Sequence, residues 1–186
     1  MTTTEIYMKK TYKKDLFRYY GEKKESLKQK LMRPPEIKYL VLLRKCQNAK
    51  GIIRKWYILR LLHLSRKTGI QISASTQIGE GFYIGHTGRI IINSDTVIGK
   101  NMNIATGVTI GQENRGERKG CPTIGNSVWV GTNAVVVGKI TIGDDVLIAP
   151  NSYVNFDVPS HSIVVGNPAR IIHRENATEA YVEKTV

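Results

Sequence analysis

The sequence predicts a mainly β chain, built as a parallel β-helix with an α-helical segment in front of it. Across residues 72–154 a branched aliphatic residue returns every six positions, apart from one shift of two residues and one irregular interruption. Neither a helix nor a single strand has a period of six, whereas a parallel β-helix places one short strand and one turn in each hexad. Small residues, above all glycine, follow these positions, as tight corners between strands require. The thirteen repeating positions are Ile72, Ile78, Ile84, Ile92, Ile98, Ile104, Ile110, Ile124, Val130, Val136, Ile142, Ile148 and Val154.

The basic charge of the chain lies in front of this repeat. The net charge of the 186 residues is +13. Residues 1–67 carry 19 Lys and Arg against 5 Asp and Glu, whereas residues 68–186 carry 9 against 10. The change in composition marks a domain boundary near residue 68.

Three parts follow from this boundary and from the repeat. Residues 1–68 are predicted to form a basic helical region, because apolar residues recur there at helical spacing. Residues 69–174 are predicted to form the β-helix. Residues 111–122 interrupt the repeat with polar residues and glycine and are expected to form an external loop. Residues 175–186 are predicted to be a polar, poorly ordered tail.

The basic helices leave three roles open. They can pack on the β-helix and on a neighbouring subunit, or their cationic surface can meet an anionic membrane or an anionic glycan carrier. Nucleic-acid binding is not expected, because no groove-reading or base-stacking motif accompanies the charge. Two cysteines, the absence of a recognisable signal peptide and the absence of a run of about 20 apolar residues predict a cytoplasmic protein, with contact at the inner face of the membrane left open.

His86 is the candidate catalytic base. Transfer of an acyl group from a thioester to a hydroxyl needs a general base, and the imidazole pKa lies near neutrality. Of the four histidines, only His86 combines a glycine-flanked position in the repeat with nearness in sequence to the polar loop. It is also the only histidine of residues 70–160, which argues against a γ-class carbonic anhydrase with its three zinc-binding histidines.

The repeat, the polar interruption and the ending Gly166-Asn167-Pro168-Ala169-Arg170 resemble the hexapeptide-repeat acyltransferases. Residues 70–172 are similar to serine acetyltransferases and, more closely, to acetyltransferases of capsule and exopolysaccharide pathways, including the colanic acid type. The resemblance implies a left-handed triangular prism, a homotrimer with the carrier groove between adjacent prisms, and direct transfer from acetyl-CoA without a metal. By position in the family pattern, the residues implied to bind acetyl-CoA are Gly111, Gly131, Thr132, Pro150 and Arg170.

Three residues depart from the serine acetyltransferase pattern. Gln71 and Gly85 stand where those enzymes have aspartate, and Cys121 stands where they have a second histidine. The site is thereby expected to lose two carboxylates and an imidazole, which suits a neutral sugar hydroxyl better than the charged amino acid. Gln71 or a backbone carbonyl is expected to orient His86, with Glu80 as a charged alternative. Gly85, Cys121 and Glu80 are expected to line the acceptor pocket, and covalent catalysis by Cys121 is not expected because no base lies beside it in sequence.

The first expectation is therefore an O-acetyltransferase that acts on a sugar hydroxyl of a capsular polysaccharide, an exopolysaccharide or a precursor. The alternatives are a serine O-acetyltransferase of cysteine biosynthesis, an N-acyltransferase for an amino sugar, and a non-catalytic trimeric scaffold.

Overall fold

The computed structural model describes residues 3–22 and 25–186, with the side chains of the first helix described from residue 11 onward. Four helices precede the β-structure: α1 (Thr3–Tyr20), α2 (Leu27–Leu31), α3 (Pro35–Asn48) and α4 (Gly51–Thr68). Pro35 begins α3, where its missing N–H costs nothing. Gly69 ends α4 in the left-handed conformation, with φ 76°, and the first strand starts at the next residue.

Short strands then wind into about five coils of a parallel β-helix, so the predicted fold class is confirmed. The strands are β1 (Ile70–Ile72), β2 (Gln77–Ile78), β3 (Tyr83–Ile84), β4 (Ile90–Ile92), β5 (Val97–Ile98), β6 (Asn103–Ile104), β7 (Thr109–Gly111), β8 (Thr123–Ile124), β9 (Trp129–Val130), β10 (Val135–Val137), β11 (Thr141–Ile142), β12 (Val146–Ile148), β13 (Tyr153–Val154), β14 (Ser162–Gly166) and β15 (Ala169–His173). Sheet 1 has the order β1-β4-β7-β10-β13 and sheet 2 the order β2-β5-β8-β11. Sheet 3 has the order β3-β6-β9-β12-β14-β15, in which β15 alone is antiparallel.

The aliphatic residues of the repeat fill the interior of the prism. In sheet 1, Ile72 lies beside Ile92, which lies beside Ile110, and the same stacking continues through the later coils. Twelve of the thirteen predicted positions are buried. Ile78, in the first coil, is half-buried.

Two tyrosines of the helical region close the open strand edges of the first coil. The Tyr19 hydroxyl donates to the Ile84 carbonyl over 2.9 Å and accepts from the Ile84 N–H over 2.8 Å. The Tyr39 hydroxyl does the same for Ile72, at 3.2 and 3.0 Å. Burial raises the pKa of Tyr39 to about 12, so the hydroxyl keeps its proton at neutral pH. An unpaired strand edge invites pairing with another chain, and these contacts satisfy it within the chain.

Arg44 and Asp15 serve the remaining strand edge of the first coil. The Arg44 guanidinium donates to the carbonyls of Ile78 and Gly79 at 2.8 and 2.6 Å. It also makes a two-pronged ion pair with Asp15, at 2.8 and 3.2 Å. The same Asp15 carboxylate accepts from the Phe82 N–H at 3.0 Å. The pair therefore joins α1, α3 and the prism at one buried point.

Residues 175–186 run along the outside of sheet 3 rather than forming a poorly ordered tail. The Tyr181 ring packs on Trp129 with centroids 4.8 Å apart, and its carbonyl accepts from Asn103 at 2.7 Å. Farther along, Val186 exchanges two hydrogen bonds with the Asn101 side chain. The expectation of disorder came from the polar composition of residues 175–186, which does not indicate the contacts with Trp129, Asn103 and Asn101.

Asp145 anchors the start of this segment and makes it sensitive to pH. Its carboxylate accepts from the Ala177 and Thr178 N–H groups, both at 2.9 Å, from the Thr178 hydroxyl at 2.7 Å and from His161 at 2.9 Å. Burial raises the pKa of Asp145, but these hydrogen bonds outweigh burial and leave the pKa below its ordinary value. The hydrogen bond to Asp145, and after it the nearby Glu175, raises the pKa of His161.

The first testable prediction concerns this anchor. Asp145 stabilises the attachment of residues 175–186 above about pH 4, and this stabilisation is lost as the pH falls through the lowered pKa of Asp145. His161 stabilises the attachment below about pH 6.5, and this stabilisation is lost as the pH rises through the raised pKa of His161. Attachment of residues 175–186 is therefore expected to be firmest near pH 5–6. In Asp145→Asn, which keeps one acceptor oxygen, the amides of Ala177 and Thr178 should exchange with solvent roughly 5- to 30-fold faster at pH 6, for a loss of about 1–2 kcal/mol. Unchanged exchange relative to the native chain at that pH would show that Asp145 does not hold the segment.

Candidate active site

Three lines of corners join the three sheets, and they organise the candidate site. The His86 edge lies between sheets 3 and 1, the loop edge between sheets 1 and 2, and the Glu80 edge between sheets 2 and 3. The His86 edge consists of residues 85–89, 105–108, 131–134 and 149–152; the loop edge of 73–76, 93–96, 112–122 and 138–140; the Glu80 edge of 79–82, 99–102, 125–128 and 143–145.

His86 lies exposed on a corner whose backbone is fixed on both sides. The Gly85 N–H donates to the Ile104 carbonyl of the next coil at 3.0 Å, and the Gly88 N–H donates to the Thr68 carbonyl at the end of α4 at 2.8 Å. Within the described residues, the His86 side chain makes no hydrogen bond. The backbone that carries the imidazole is thus fixed, while within the described residues both ring nitrogens remain free to meet a substrate.

Three of the residues implied to bind acetyl-CoA lie farther along the same edge. The Gly131 N–H donates to the Ile148 carbonyl at 2.8 Å, and the Asn151 N–H donates to the Thr132 carbonyl at 2.9 Å. Gly131 and Thr132 therefore lie on one corner and Pro150 on the next, in register with the His86 corner. A Cβ atom on Gly131 would lie 2.7 Å from the Pro150 nitrogen, which leaves room for glycine only. The His86 edge therefore offers a continuous line of small corners along which an extended ligand can lie.

Thr106 is a member of this line that the sequence patterns did not single out. Its carbonyl accepts from the Asn133 N–H at 3.1 Å, which places it between the His86 corner and the Thr132 corner. A Cβ atom on Gly88 would lie 2.1 Å from the Thr106 hydroxyl oxygen, so the two corners touch. Thr106 lies 20 residues after His86, which is the length of one coil, and this spacing could have identified it from the sequence.

Cys121 lies on the loop edge instead, and Gly111 is the last residue of β7, directly before that edge. Residues 112–120 leave the prism there as an external loop, closed by an antiparallel bridge between Glu113 and Gly120. Partial burial, and after it the negative charge of Asp95, raises the pKa of Cys121. The thiol is therefore a poor nucleophile at neutral pH, in keeping with a role in lining the pocket.

Asp95 is a second residue that the sequence interpretation missed. Val97 is in register with Thr123, so Asp95 and Cys121, each two residues before those positions, lie on adjacent coils of the loop edge. Asp95 is exposed and is the only carboxylate of residues 81–112. The absence of any other carboxylate in residues 81–112 was the sequence feature that could have pointed to Asp95.

The remaining predicted residues lie apart from His86. Gln71 is exposed on the outer face of sheet 1, and no hydrogen bond joins its side chain to His86 within the described residues, so the orienting role of Gln71 stays a prediction. Glu80 lies on the Glu80 edge and pairs with Lys14 of α1. Glu80 is therefore not the charged partner of His86 in this chain. Arg170 is exposed on β15, opposite Val165.

The His86 edge and the loop edge of one chain cannot form a single pocket. The width of sheet 1 separates them, roughly 15 Å at about 3.3 Å per residue over residues 88–93. A substrate shorter than that separation cannot contact His86 and Cys121 of the same chain. As for metals, no cluster of three His, Cys, Asp or Glu side chains is found in residues 11–22 and 25–186, and the expectation of a metal-free site stays a prediction.

Comparison with known proteins identifies the fold. A family model described as bacterial transferase hexapeptide (six repeats) matches residues 121–155. A serine acetyltransferase of Neisseria gonorrhoeae, solved in complex with serine, superposes with a TM-score of 0.76 over 91% of this chain and 70% of that one, at 26% identity. The chain has the hexapeptide-repeat fold. The left-handed prism that the resemblance implied is confirmed with it.

Sequence relatives with this hexapeptide-repeat fold are also serine acetyltransferases. The chain is 42% identical over 115 residues to that of Synechococcus elongatus, a match covering 61% of this chain and 47% of the relative. It is 41% identical over 108 residues to that of Helicobacter pylori, covering 58% of this chain and 63% of the relative. The chain thus spans between about half and two thirds of the length of these relatives. The closer resemblance to capsule and exopolysaccharide acetyltransferases is not supported, because these relatives are serine acetyltransferases.

Proposed function

We propose that the chain is an acetyl-CoA-dependent O-acetyltransferase with His86 as its general base. The observation that carries the proposal is the exposed His86 at the head of an edge on which Thr106, Gly131, Thr132 and Pro150 follow in register. The likeness to serine acetyltransferases supports the same reaction class.

The chemistry needs only a base and a bound thioester. A neutral His86 ring nitrogen accepts the proton of the acceptor hydroxyl while that oxygen attacks the thioester carbonyl carbon. The tetrahedral intermediate collapses with cleavage of the carbon–sulfur bond, and the departing thiolate takes the proton from the imidazolium. The products are the acetyl ester and free coenzyme A, and His86 returns to its neutral form.

We propose that the working unit is a homotrimer. The His86 edge of one chain would face the loop edge of its neighbour, so that His86 of one subunit and Asp95 and Cys121 of the next border one pocket. The separation of the two edges within a single chain supports this arrangement. An extended coenzyme A molecule would then lie along Gly131, Thr132 and Pro150, with Gly111 facing it from the loop edge.

The acceptor best supported is L-serine, which was the alternative and not the first expectation from the sequence. Its support is the serine acetyltransferase relatives at 41–42% identity. Asp95 supplies what Gln71, Gly85 and Cys121 lack, because a carboxylate on the loop edge can pair with the ammonium group of the amino acid. We propose that Asp95 does so across the subunit boundary.

A sugar hydroxyl is the second candidate acceptor. The observation that favours it is the neutral character of Gln71, Gly85 and Cys121. A Cβ atom on Gly85 would lie 3.6 Å from the nearest backbone atom, the Ile104 carbonyl oxygen. A side chain therefore fits at Gly85, and the absence of aspartate there is a matter of chemistry rather than space.

The test is thiol release from acetyl-CoA with L-serine and with a panel of neutral sugars and nucleotide-linked sugars in parallel. Serine-dependent release supports the first candidate, and release with a sugar supports the second. No release above the acceptor-free rate with any hydroxyl acceptor, from folded protein that binds coenzyme A, would overturn the proposed acetyltransferase.

Asp95→Asn separates the two acceptors. If Asp95 pairs with the serine ammonium, the variant should raise the KM for L-serine about 10-fold or more, since a charge-assisted hydrogen bond contributes about 1.5–3 kcal/mol. Its kcat and its KM for acetyl-CoA should change little. Glu117→Gln, in the exposed part of the external loop, is the control with the same loss of charge. An unchanged KM for serine would contradict the ammonium role of Asp95.

A further inference from the structure

Helix α4 is apolar on two sides, and only one of them is covered. Its inner side packs on the core through Tyr57, Ile58, Leu61 and Leu64. Its outer side exposes between 51% and 78% of five large apolar side chains: Ile52, Ile53, Trp56, Leu59 and Leu62. An exposed apolar patch of this kind marks a binding surface.

A cationic groove of about 520 Å³ lies between α3 and α4, beside this apolar side. Lys38, Lys45, Arg60 and His63 line it together with Trp56 and Leu59. The Arg60 guanidinium lies 4.7 Å from the centre of the Trp56 ring, so charge and apolar surface are interleaved. Partial burial, and after it the neighbouring cations, lowers the pKa of Lys45, a sign of positive charges crowded together.

Nothing in the adjacent sequence neutralises this charge. Residues 37–79 contain nine Lys and Arg and no Asp or Glu. Arg33, at the margin of the groove, is already paired with Glu25. The groove cations are therefore available to an anionic ligand.

We propose that the outer side of α4 and the adjoining groove form a docking surface for a membrane that contains anionic phospholipid. Trp and Leu enter the boundary between headgroups and acyl chains, and Lys and Arg at their flanks bind the phosphates. The contact is peripheral: within the described residues, no helix is long and apolar enough to cross a bilayer.

The charge distribution favours a membrane over a second copy of the chain. A two-fold contact through this side of α4 would set Arg60 and Lys55 of one copy against the same cations of the other, with no carboxylate of residues 37–79 between them. Like charges placed opposite each other destabilise an interface. Nucleic acid would use the cations but would leave the five exposed aliphatic and aromatic side chains uncovered.

The experiment is co-sedimentation of the full chain with vesicles of phosphatidylcholine alone and of phosphatidylcholine with 30% phosphatidylglycerol. The partition coefficient at 0.1 M salt is expected to be at least 10-fold higher for the anionic vesicles and to fall several-fold at 0.5 M salt. Trp56→Ser/Leu59→Ser and Lys38→Glu/Arg60→Glu should each lower it about 10-fold or more. Ile171→Ser/Ile172→Ser and Lys100→Glu/Arg174→Glu, exposed pairs far from α4, should leave it unchanged.

Equal partition into neutral and anionic vesicles would overturn the proposal, as would an equal loss in the control pairs. A fall in solution molar mass for Trp56→Ser/Leu59→Ser, with vesicle binding kept, would assign the surface to a second copy instead. Far-ultraviolet circular dichroism verifies that each variant is folded. Failure here leaves the acetyltransferase proposal untouched, because vesicle binding and thiol release are measured separately.

Discussion

His86→Ala is expected to lower acetyl transfer about 10²- to 10⁴-fold, the usual contribution of a positioned general base. The KM for acetyl-CoA should stay nearly the same, because in the proposed complex the donor contacts the corners that follow rather than His86. Stability should change little, since His86 is exposed and the corner is held by the backbone bonds of Gly85 and Gly88. The measurement is kcat and KM by thiol release, beside a thermal unfolding curve.

His173→Ala is the matched control for this loss. His173 is exposed on β15, away from the His86 edge, and should keep full activity. Turnover in His86→Ala within about threefold of the native chain would remove His86 from the base role. Equal losses in both histidine variants would point to a general defect in folding or assembly.

The prism could be predicted from sequence because the period of a β-helix appears directly as a period in the sequence. Each coil repeats the same inward-facing position. Ile92, Ile110 and Val136 can therefore be recognised as equivalent, although 18–26 residues separate successive members along the chain. Corner glycines add a second mark, since the closest approach of coils permits no Cβ atom at Gly131. The same register brings His86, Thr132 and Pro150 to one edge.

The parts that sequence did not predict depend on single polar contacts. The spacing of Tyr19 and Tyr39 does not indicate that their hydroxyls pair with strand edges 65 and 33 residues away, respectively. Glu80 was expected as an alternative residue to orient His86, but it forms an ion pair with Lys14 of α1. Asp95 could be recognised as a candidate only from the register of β5 and β8, which places it beside Cys121. Such contacts have no period, so only the folded chain reveals them.

Arg44→Leu is expected to destabilise the fold by about 3–5 kcal/mol, the cost of leaving one partner of a buried ion pair alone. The substitution would strand the Asp15 carboxylate, whose side chain is 1% exposed, and would remove the donors that serve the Ile78 and Gly79 carbonyls. Urea unfolding followed by circular dichroism measures the loss.

A double-mutant cycle shows whether the ion pair itself is responsible for that loss. Asp15→Asn keeps an acceptor for the Phe82 N–H and removes the charge that Arg44→Leu would strand, so the double variant should lose less than the two single losses added together. Lys14→Ala is the control, because the Lys14 side chain is 43% exposed in its pair with Glu80 and should contribute no more than about 1 kcal/mol. Strictly additive losses would place the cost of Arg44→Leu in its carbonyl contacts. A loss as small as that of Lys14→Ala would mean that Arg44 does not hold the helical region to the first coil.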